Sequence, residues 1–144
     1  MKTAIKRIAV ILLAISMTFC FAACQKKGVD KTGAWSTAIY TSDTELGEGE
    51  KTLTVKVGAE GQVIVFTIHT DAAIVGDALL EHEIIDGEEG PYGMYIKAVN
   101  GIVADYDTDQ TYWSFNKDGE YMMTGVDQTE LADGDSYELV KTKG

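Results

Sequence analysis

Strict alternation of apolar and polar side chains over residues 52–57 restricts the possible folds more than any other feature of the chain. Threonine or lysine stands between the apolar members, which are Leu53, Val55 and Val57. A period of two predicts a strand with one buried face and one solvated face. A second β-rich run at 63–69 follows a glycine-bearing loop at 58–61. Two such runs joined by a short loop predict a β-hairpin.

The rest of the chain predicts one helix and several further strands. Asp71 is a candidate N-cap of the helix, and the glycine-containing segment 87–90 closes it. The predicted core-facing side of the helix consists of Ile74, Ala78, Leu79 and His82. Later runs with strand character lie at 94–99, 112–115, 121–124 and 136–141. Asn100-Gly101 is typical of a type I′ turn, and the turn sequence 116–119, ending in Asp118-Gly119, predicts a second hairpin. This order predicts a single small α+β domain, in which a mixed or antiparallel sheet packs on one helix.

The N-terminal 24 residues predict a targeting signal that lies outside the folded domain. Lys2, Lys6 and Arg7 precede an apolar run at 8–21, which is shorter than the roughly 20 residues that a membrane-spanning helix needs. Small residues just before Cys24 resemble the lipobox of bacterial lipoproteins, where cleavage leaves a lipid-modified cysteine at the N-terminus. The alternative is an ordinary secretory signal in which Cys24 has no special role.

The lipoprotein interpretation divides the chain into three segments. These are a signal peptide at 1–23, a lipidated cysteine with a flexible tether at 24–50, and a domain at 51–144. The tether is inferred from the polar, glycine-containing composition of residues 25–36. Trp35, Ile39 and Tyr40 interrupt this polarity, so an edge segment or a docking tail is the alternative there. We therefore expect the protein at the cell membrane, lipid-anchored on the extracytoplasmic face.

Charge and composition argue against several classes of function. The chain has 12 basic and 23 acidic residues, and loss of three basic residues with the signal peptide leaves nine against 23, a net charge of −14. Such a surface disfavours nucleic acid and anionic headgroups as partners.

The side chains that could carry catalysis are few. Loss of Cys20 with the signal peptide and lipidation of Cys24 would leave the mature protein without a free thiol. Neither His69 nor His82 lies near a sequence context for a nucleophile, so we expect no enzyme and no required cofactor.

Three alternating carboxylates raise the question of a metal site. Asp105, Asp107 and Asp109 are spaced like the first oxygen ligands of an EF-hand calcium loop. The pattern then breaks, because Gln110 stands where the sharp bend needs glycine and Asn116 stands where a bidentate glutamate belongs. Calcium binding at the three aspartates is therefore a weak hypothesis, and solvated carboxylates in a turn are the alternative.

Large apolar side chains are concentrated in residues 111–126. Trp113 and Phe115 share one face of the predicted strand, and Tyr121 and Met123 share a face of the strand that follows the turn. Aromatic side chains in strands usually supply the core of a domain of this size. The alternative is a surface on which a ligand or partner docks. Burial of Trp113 would favour the core.

Several short motifs in the second half of the chain resemble one known family. They are the run Gly-Pro-Tyr-Gly-Met-Tyr-Ile-Lys-Ala-Val-Asn-Gly at 90–101, Thr-Tyr-Trp at 111–113, Gly-Val at 125–126 and Asp-Gly-Asp at 133–135. Together they resemble the C-terminal domain of transcobalamin and intrinsic factor. They also resemble bacterial lipoproteins with a transcobalamin-like domain of unknown function, the DUF4430 group. The resemblance covers residues 52–141.

This resemblance implies a β-grasp-like domain of the soluble-ligand-binding type. In vitamin B12 carriers such a domain closes over one face of the corrinoid, while a large helical domain, for which this chain has no room, holds the other face. By the same resemblance, Trp113, Phe115 and Met123 would contact a ligand, with Tyr92 and Tyr112 nearby.

Two functions are consistent with these features. The first is a surface-tethered, non-enzymatic lipoprotein that captures cobalamin or a related corrinoid and passes it to a membrane transporter. The second is an envelope protein–protein or adhesion module, which could be modulated by calcium.

Overall fold

The computed structural model describes residues 28–144. The signal peptide predicted at 1–23 and the lipidation predicted at Cys24 lie outside these residues. Within residues 28–144, no helix is long and apolar enough to cross a membrane. The strands of this part are β1 (Thr44–Leu46), β2 (Lys51–Ala59), β3 (Gln62–Thr70), β4 (Ile85–Gly90), β5 (Gly93–Val99), β6 (Ile102–Val103), β7 (Thr111–Lys117), β8 (Glu120–Tyr121) and β9 (Ser136–Lys143). The α-helices are α1 (Val75–Glu81) and α2 (Tyr106–Asp109), and short 3₁₀ helices lie at Gly33–Thr37 and Val126–Gln128.

A six-stranded mixed sheet with the order β1-β3-β2-β9-β7-β8 forms the main layer. β2 and β3 pair antiparallel over their whole length, which confirms the predicted hairpin. The C-terminal strand β9 lies parallel to β2 at the centre, with Val55 opposite Tyr137. Leu53, Val55 and Val57 are buried on one face, as their alternation predicts. The predicted α+β class with a mixed sheet in one small domain is confirmed.

A second sheet of three strands, β4-β5-β6, contains a segment that the sequence interpretation missed. Residues 87–90, predicted to be the loop closing the helix, belong to β4 and pair antiparallel with β5. The segment lacks an apolar alternation, so its strand character comes from backbone pairing alone. A Cβ on Gly87 would lie 2.3 Å from the carbonyl oxygen of Tyr95, which explains the glycine at this bulge in the ladder.

The helix α1 begins later than its sequence suggests. Ile74 occupies the N-cap position without a side-chain hydrogen bond, and the first helical residue is Val75. Asp71 instead accepts a hydrogen bond from the backbone N–H of Glu50 at 2.9 Å, so its prediction as N-cap is wrong. The helix buries Val75, Ala78 and Leu79.

The flexible tether predicted at 24–50 is wrong for residues 28–50, because this segment packs on the sheet. Trp35 is 0% exposed, and its indole Nε1 donates a hydrogen bond to the carbonyl oxygen of Ala59 at 2.9 Å. Gly28 bridges to Ser42, and β1 pairs parallel with β3 at the sheet edge. The composition of 25–36 is polar, but the buried indole and the backbone pairing hold residues 28–50 on the sheet.

Asn100 connects this N-terminal segment to the second sheet. Its fully buried side chain accepts from the backbone N–H of Tyr40 and donates to the carbonyl oxygen of the same residue, both at 2.8 Å. Its φ of +54° lies in the left-handed region, and Gly101 follows with φ +75°, as expected for the predicted type I′ turn. The amide therefore serves both the turn and the docking of residues 38–40.

We expect Asn100→Ala to lower the free energy of unfolding by about 2–4 kcal/mol. It leaves two part-buried backbone groups of Tyr40 without their hydrogen-bond partner and places alanine in the left-handed region. Asn100→Gly is the matched control, since glycine tolerates the backbone conformation and loses only the hydrogen bonds. Denaturant unfolding of both variants measures the two contributions. Losses well below about 1 kcal/mol in both variants would contradict the structural role of the amide.

Candidate functional site

A shallow cavity of about 310 Å³ opens between the two sheets. We call it the apolar cavity. Its floor comes from β7, one wall from residues 90–96 of the β4–β5 hairpin, and the other wall from residues 121–126, which begin at the last residue of β8. We call these walls the hairpin wall and the loop wall. The floor belongs to the six-stranded sheet and the hairpin wall to the three-stranded sheet.

Trp113 and Phe115 form the floor and are nearly buried. Their side chains are 6% and 7% exposed. The indole Nε1 of Trp113 donates to the carbonyl oxygen of Ile102 at 3.0 Å, and the ring of Phe115 stacks on Tyr137 with centroids 5.0 Å apart. Both side chains therefore belong to the core first, and only their edges reach the cavity.

The rim of the cavity presents two large apolar side chains that are almost fully exposed. Tyr92 is 92% exposed at the tip of the hairpin wall, and Met123 is 93% exposed on the loop wall. Tyr121 and Tyr95 are also exposed and line the same cavity. A group of exposed large side chains around a concavity is typical of a surface that binds something.

The chemistry of the lining differs from that of the rest of the protein. None of the residues that line the apolar cavity is charged, although the chain has 23 acidic and 12 basic residues. All the methionines of residues 28–144 line it, namely Met94, Met122 and Met123. Aromatic members are Tyr92, Tyr95, Tyr112, Trp113, Phe115 and Tyr121. The cavity can therefore offer apolar contact, aromatic stacking and tyrosine hydroxyls, but no ion pair.

The structure brings all five side chains predicted to contact a ligand into this cavity. They are Tyr92, Tyr112, Trp113, Phe115 and Met123. Their contact with a ligand stays a prediction, but their proximity is a fact of the fold. The predicted ligand contacts did not include Met94 and Tyr95, or Tyr121 and Met122, although the last two lie in the stretch 111–126 that the sequence offers as a docking surface. The Pro91-containing turn was the available signal, yet only the packing of β5 beside β7 places that turn next to the floor.

The three aspartates of the calcium hypothesis lie at α2, outside the apolar cavity. Asp105 caps the helix, accepting hydrogen bonds from the Asp107 backbone N–H at 3.0 Å and the Thr108 hydroxyl at 2.8 Å. The Thr108 hydroxyl holds the pKa of Asp105 below its ordinary value, and the Thr111 hydroxyl does the same for the pKa of Asp109. In the part of the chain that the structure describes, no group of three His, Cys, Asp or Glu is placed to hold a metal ion. The geometry adds no support to the calcium hypothesis.

Comparison with known proteins gives one family and two similar structures. The family described as "Domain of unknown function (DUF4430)" matches residues 72–139. A protein from Ruminococcus gnavus ATCC 29149, described as a proposed metal-binding protein, has a crystal structure that is 40% identical, with a TM-score of 0.63, and the match covers 66% of this chain and 99% of that chain. Haptocorrin in complex with Cbi is 21% identical with a TM-score of 0.49, over 65% of this chain and 25% of that chain. No curated protein matches this chain.

Proposed function

We propose that this chain, which belongs to the DUF4430 family, is a non-enzymatic binding protein that takes a flat, uncharged or weakly charged ligand in the apolar cavity. We further propose that the ligand is a corrinoid such as cobalamin or cobinamide. Lipidation of Cys24 would hold the protein on the extracytoplasmic face of the cell membrane, where it could pass the ligand to a transporter.

The observation that carries this proposal is the uncharged lining of the cavity together with its exposed rim. Leaving a large apolar side chain such as Met123 in water forgoes roughly 1.5–3 kcal/mol that its burial would contribute. A bound ligand would recover that free energy by covering Met123 and Tyr92. Methionine adapts its shape to irregular partners, and tyrosine adds a hydroxyl that can orient a polar edge.

The size of the cavity favours contact with one face of a ligand over full enclosure. Its volume of about 310 Å³ lies at the low end of the range of roughly 300–1,000 Å³ that is usual for small-molecule sites. A ligand much larger than this would rest on the floor and both walls and leave its other face open. A flat macrocycle has the right shape for such a one-sided site.

The choice of a corrinoid rests on the sequence resemblance to the C-terminal domain of vitamin B12 carriers, since three of the four motifs that carry that resemblance contribute residues to the cavity lining. The run at 90–101 includes the whole hairpin wall, and the Thr-Tyr-Trp motif at 111–113 includes part of the floor. The description of the Ruminococcus gnavus relative as a proposed metal-binding protein is compatible with a cobalt-bearing ligand.

The proposed lipid anchor would place the domain close to the membrane. Val29 already donates a backbone hydrogen bond to Thr41 at 2.8 Å, and Gly28 bridges to Ser42. The four steps from Cys24 to Gly28 can therefore span at most about 14 Å, at ~3.6 Å per residue. More than one acyl chain would be needed for a stable anchor.

Titration of the purified protein with cobalamin and cobinamide, followed by visible absorbance and calorimetry, tests the corrinoid proposal. We expect saturable binding of at least one of them. Met123→Ala should weaken it about tenfold, because the lost apolar contact is worth roughly 1.5 kcal/mol, and should leave the melting temperature unchanged. Ile39→Ala is the matched control, since Ile39 is also exposed but does not line the cavity.

A flat titration with both compounds would reject the corrinoid proposal. Binding that Met123→Ala does not change would move the site away from the apolar cavity. Retention of an envelope protein by the purified protein, lost in Met123→Ala, would instead favour the protein–protein module.

A further inference from the structure

We infer that Asp127 is a positioning residue that ties the hairpin wall of the apolar cavity to the loop wall and so sets the width of its mouth. The inference rests on the proposed function insofar as it concerns a ligand. The contact that Asp127 makes between the walls can, however, be measured in the ligand-free protein.

The two walls lack a shared β-ladder. The hairpin wall is part of the three-stranded sheet, whereas the loop wall follows β8 of the six-stranded sheet. Within residues 28–144, the one hydrogen bond that joins the hairpin wall to residues 121–128 runs from the backbone N–H of Met94 to Oδ1 of Asp127, at 3.0 Å. A backbone N–H that donates to a carboxylate makes a stronger bond than one between neutral groups.

Two glycines, one in each wall, leave space for this carboxylate. A Cβ on Gly93 of the hairpin wall would lie 2.9 Å from Oδ1 of Asp127, and a Cβ on Gly125 of the loop wall would lie 2.7 Å from the same atom. Gly93 has φ +108°, which requires glycine in any case. Gly125 has φ −70° and ψ 164°, which any residue can adopt. At Gly125 the space taken by Asp127 is therefore what disfavours a side chain.

The backbone of Asp127 is held by contacts with neighbouring elements. It lies in the 3₁₀ helix Val126–Gln128, whose first residue is buried in the core. A Cβ on Gly76 of α1 would approach the Cα and N of Asp127 to 3.1 Å, so this short helix lies directly against α1. The hydroxyl of Thr129 also donates to the carbonyl oxygen of Gly125 at 2.8 Å. Because this backbone segment is held on two sides, the carboxylate of Asp127 can fix the position of the more exposed hairpin wall.

Amide hydrogen exchange of Met94 in the ligand-free protein tests the tie directly. Asp127→Ala removes the acceptor and should speed this exchange about tenfold, as expected for loss of one hydrogen bond. Asp127→Asn keeps an Oδ1 acceptor and should stay within about twofold of the unchanged protein. Glu120→Ala, which removes an exposed carboxylate next to the loop wall, should have no effect.

Gly125→Ala provides an independent test, because its new Cβ would displace the carboxylate while the backbone stays unstrained. It should speed Met94 exchange and weaken cobinamide binding about as much as Asp127→Ala. In the double variant the two effects should not add, since the Cβ then meets no carboxylate. If Asp127→Asn keeps the cobinamide affinity and Asp127→Ala loses it, the hydrogen-bond acceptor at residue 127 positions the hairpin wall.

Unchanged Met94 exchange in Asp127→Ala, or additive effects in the double variant, would overturn the inference. Equal losses in Asp127→Asn and Asp127→Ala would overturn it too. Absence of binding of both cobalamin and cobinamide by the unchanged protein would reject the proposed corrinoid and leave the exchange measurement to decide the role of Asp127.

Discussion

We expect Trp35→Ala to lower the free energy of unfolding by about 3–5 kcal/mol, the usual cost of truncating a buried tryptophan. The side chain is 0% exposed, and its indole N–H reaches the carbonyl oxygen of Ala59 at 2.9 Å in the buried interior. Total stabilities of domains this size are about 5–15 kcal/mol, so the loss would leave a marginal protein. Urea or thermal unfolding of the purified protein measures it.

Two further variants separate the contributions at Trp35. Trp35→Phe keeps most of the ring but loses the hydrogen bond, so a smaller loss of about 1–3 kcal/mol is expected. Ile39→Ala changes an exposed side chain of the same segment and should stay within about 0.5 kcal/mol of the unchanged protein. If Trp35→Ala were as stable as Ile39→Ala, residues 28–50 would behave as the flexible tether that their composition suggests.

The second large effect is expected at Trp113. Trp113→Ala should lower the free energy of unfolding by about 3–5 kcal/mol, because the side chain is nearly buried and its removal opens a void beneath the cavity. The carbonyl oxygen of Ile102 would also lose its indole donor. Denaturant unfolding measures the loss, and Trp113→Phe, which retains an aromatic floor, should lose less.

Trp113 is therefore a poor probe of ligand contact, although its motif is central to the family resemblance. Loss of ligand binding in Trp113→Ala would report a damaged fold as much as a missing contact. Met123→Ala is the contrasting variant, since the exposed Met123 should affect binding and not stability. Should Trp113→Ala unfold at the same denaturant concentration as the unchanged protein, the floor would not be core, and loss of ligand binding in this variant would then report a direct contact.

Local patterns predicted much of the β-structure correctly. The alternation at 52–57 and the turns Asn100-Gly101 and Asp118-Gly119 each depend on a few consecutive residues, so their outcome is readable from the sequence. In both turns the two residues have positive φ values, as the turn type requires. The same local reasoning failed for β4 and for the start of α1, where pairing with β5 and packing against the core decide the boundaries.

The candidate site also combines residues that the sequence indicates with one that only the folded structure reveals. Its floor residues could be proposed from the motif around Trp113, and its rim residues Tyr92 and Met123 from the family resemblance. The role inferred for Asp127 had no signal in the sequence. Asp127 lies 33 residues from Met94, and only the packing of one sheet against the other brings its carboxylate between Gly93 and Gly125.

The sequence by itself determined the class of the fold, the central hairpin, the tight turns and the set of aromatic and methionine side chains available for a site. Tertiary structure alone decided that residues 28–50 are packed, that Trp113 and Phe115 are floor while Tyr92 and Met123 are rim, and that an uncharged cavity forms in an acidic protein. The physical reason is that alternation and turn chemistry act between near neighbours. Burial and the width of a cavity depend instead on contacts between segments far apart in the chain, whose relative positions only the folded core establishes.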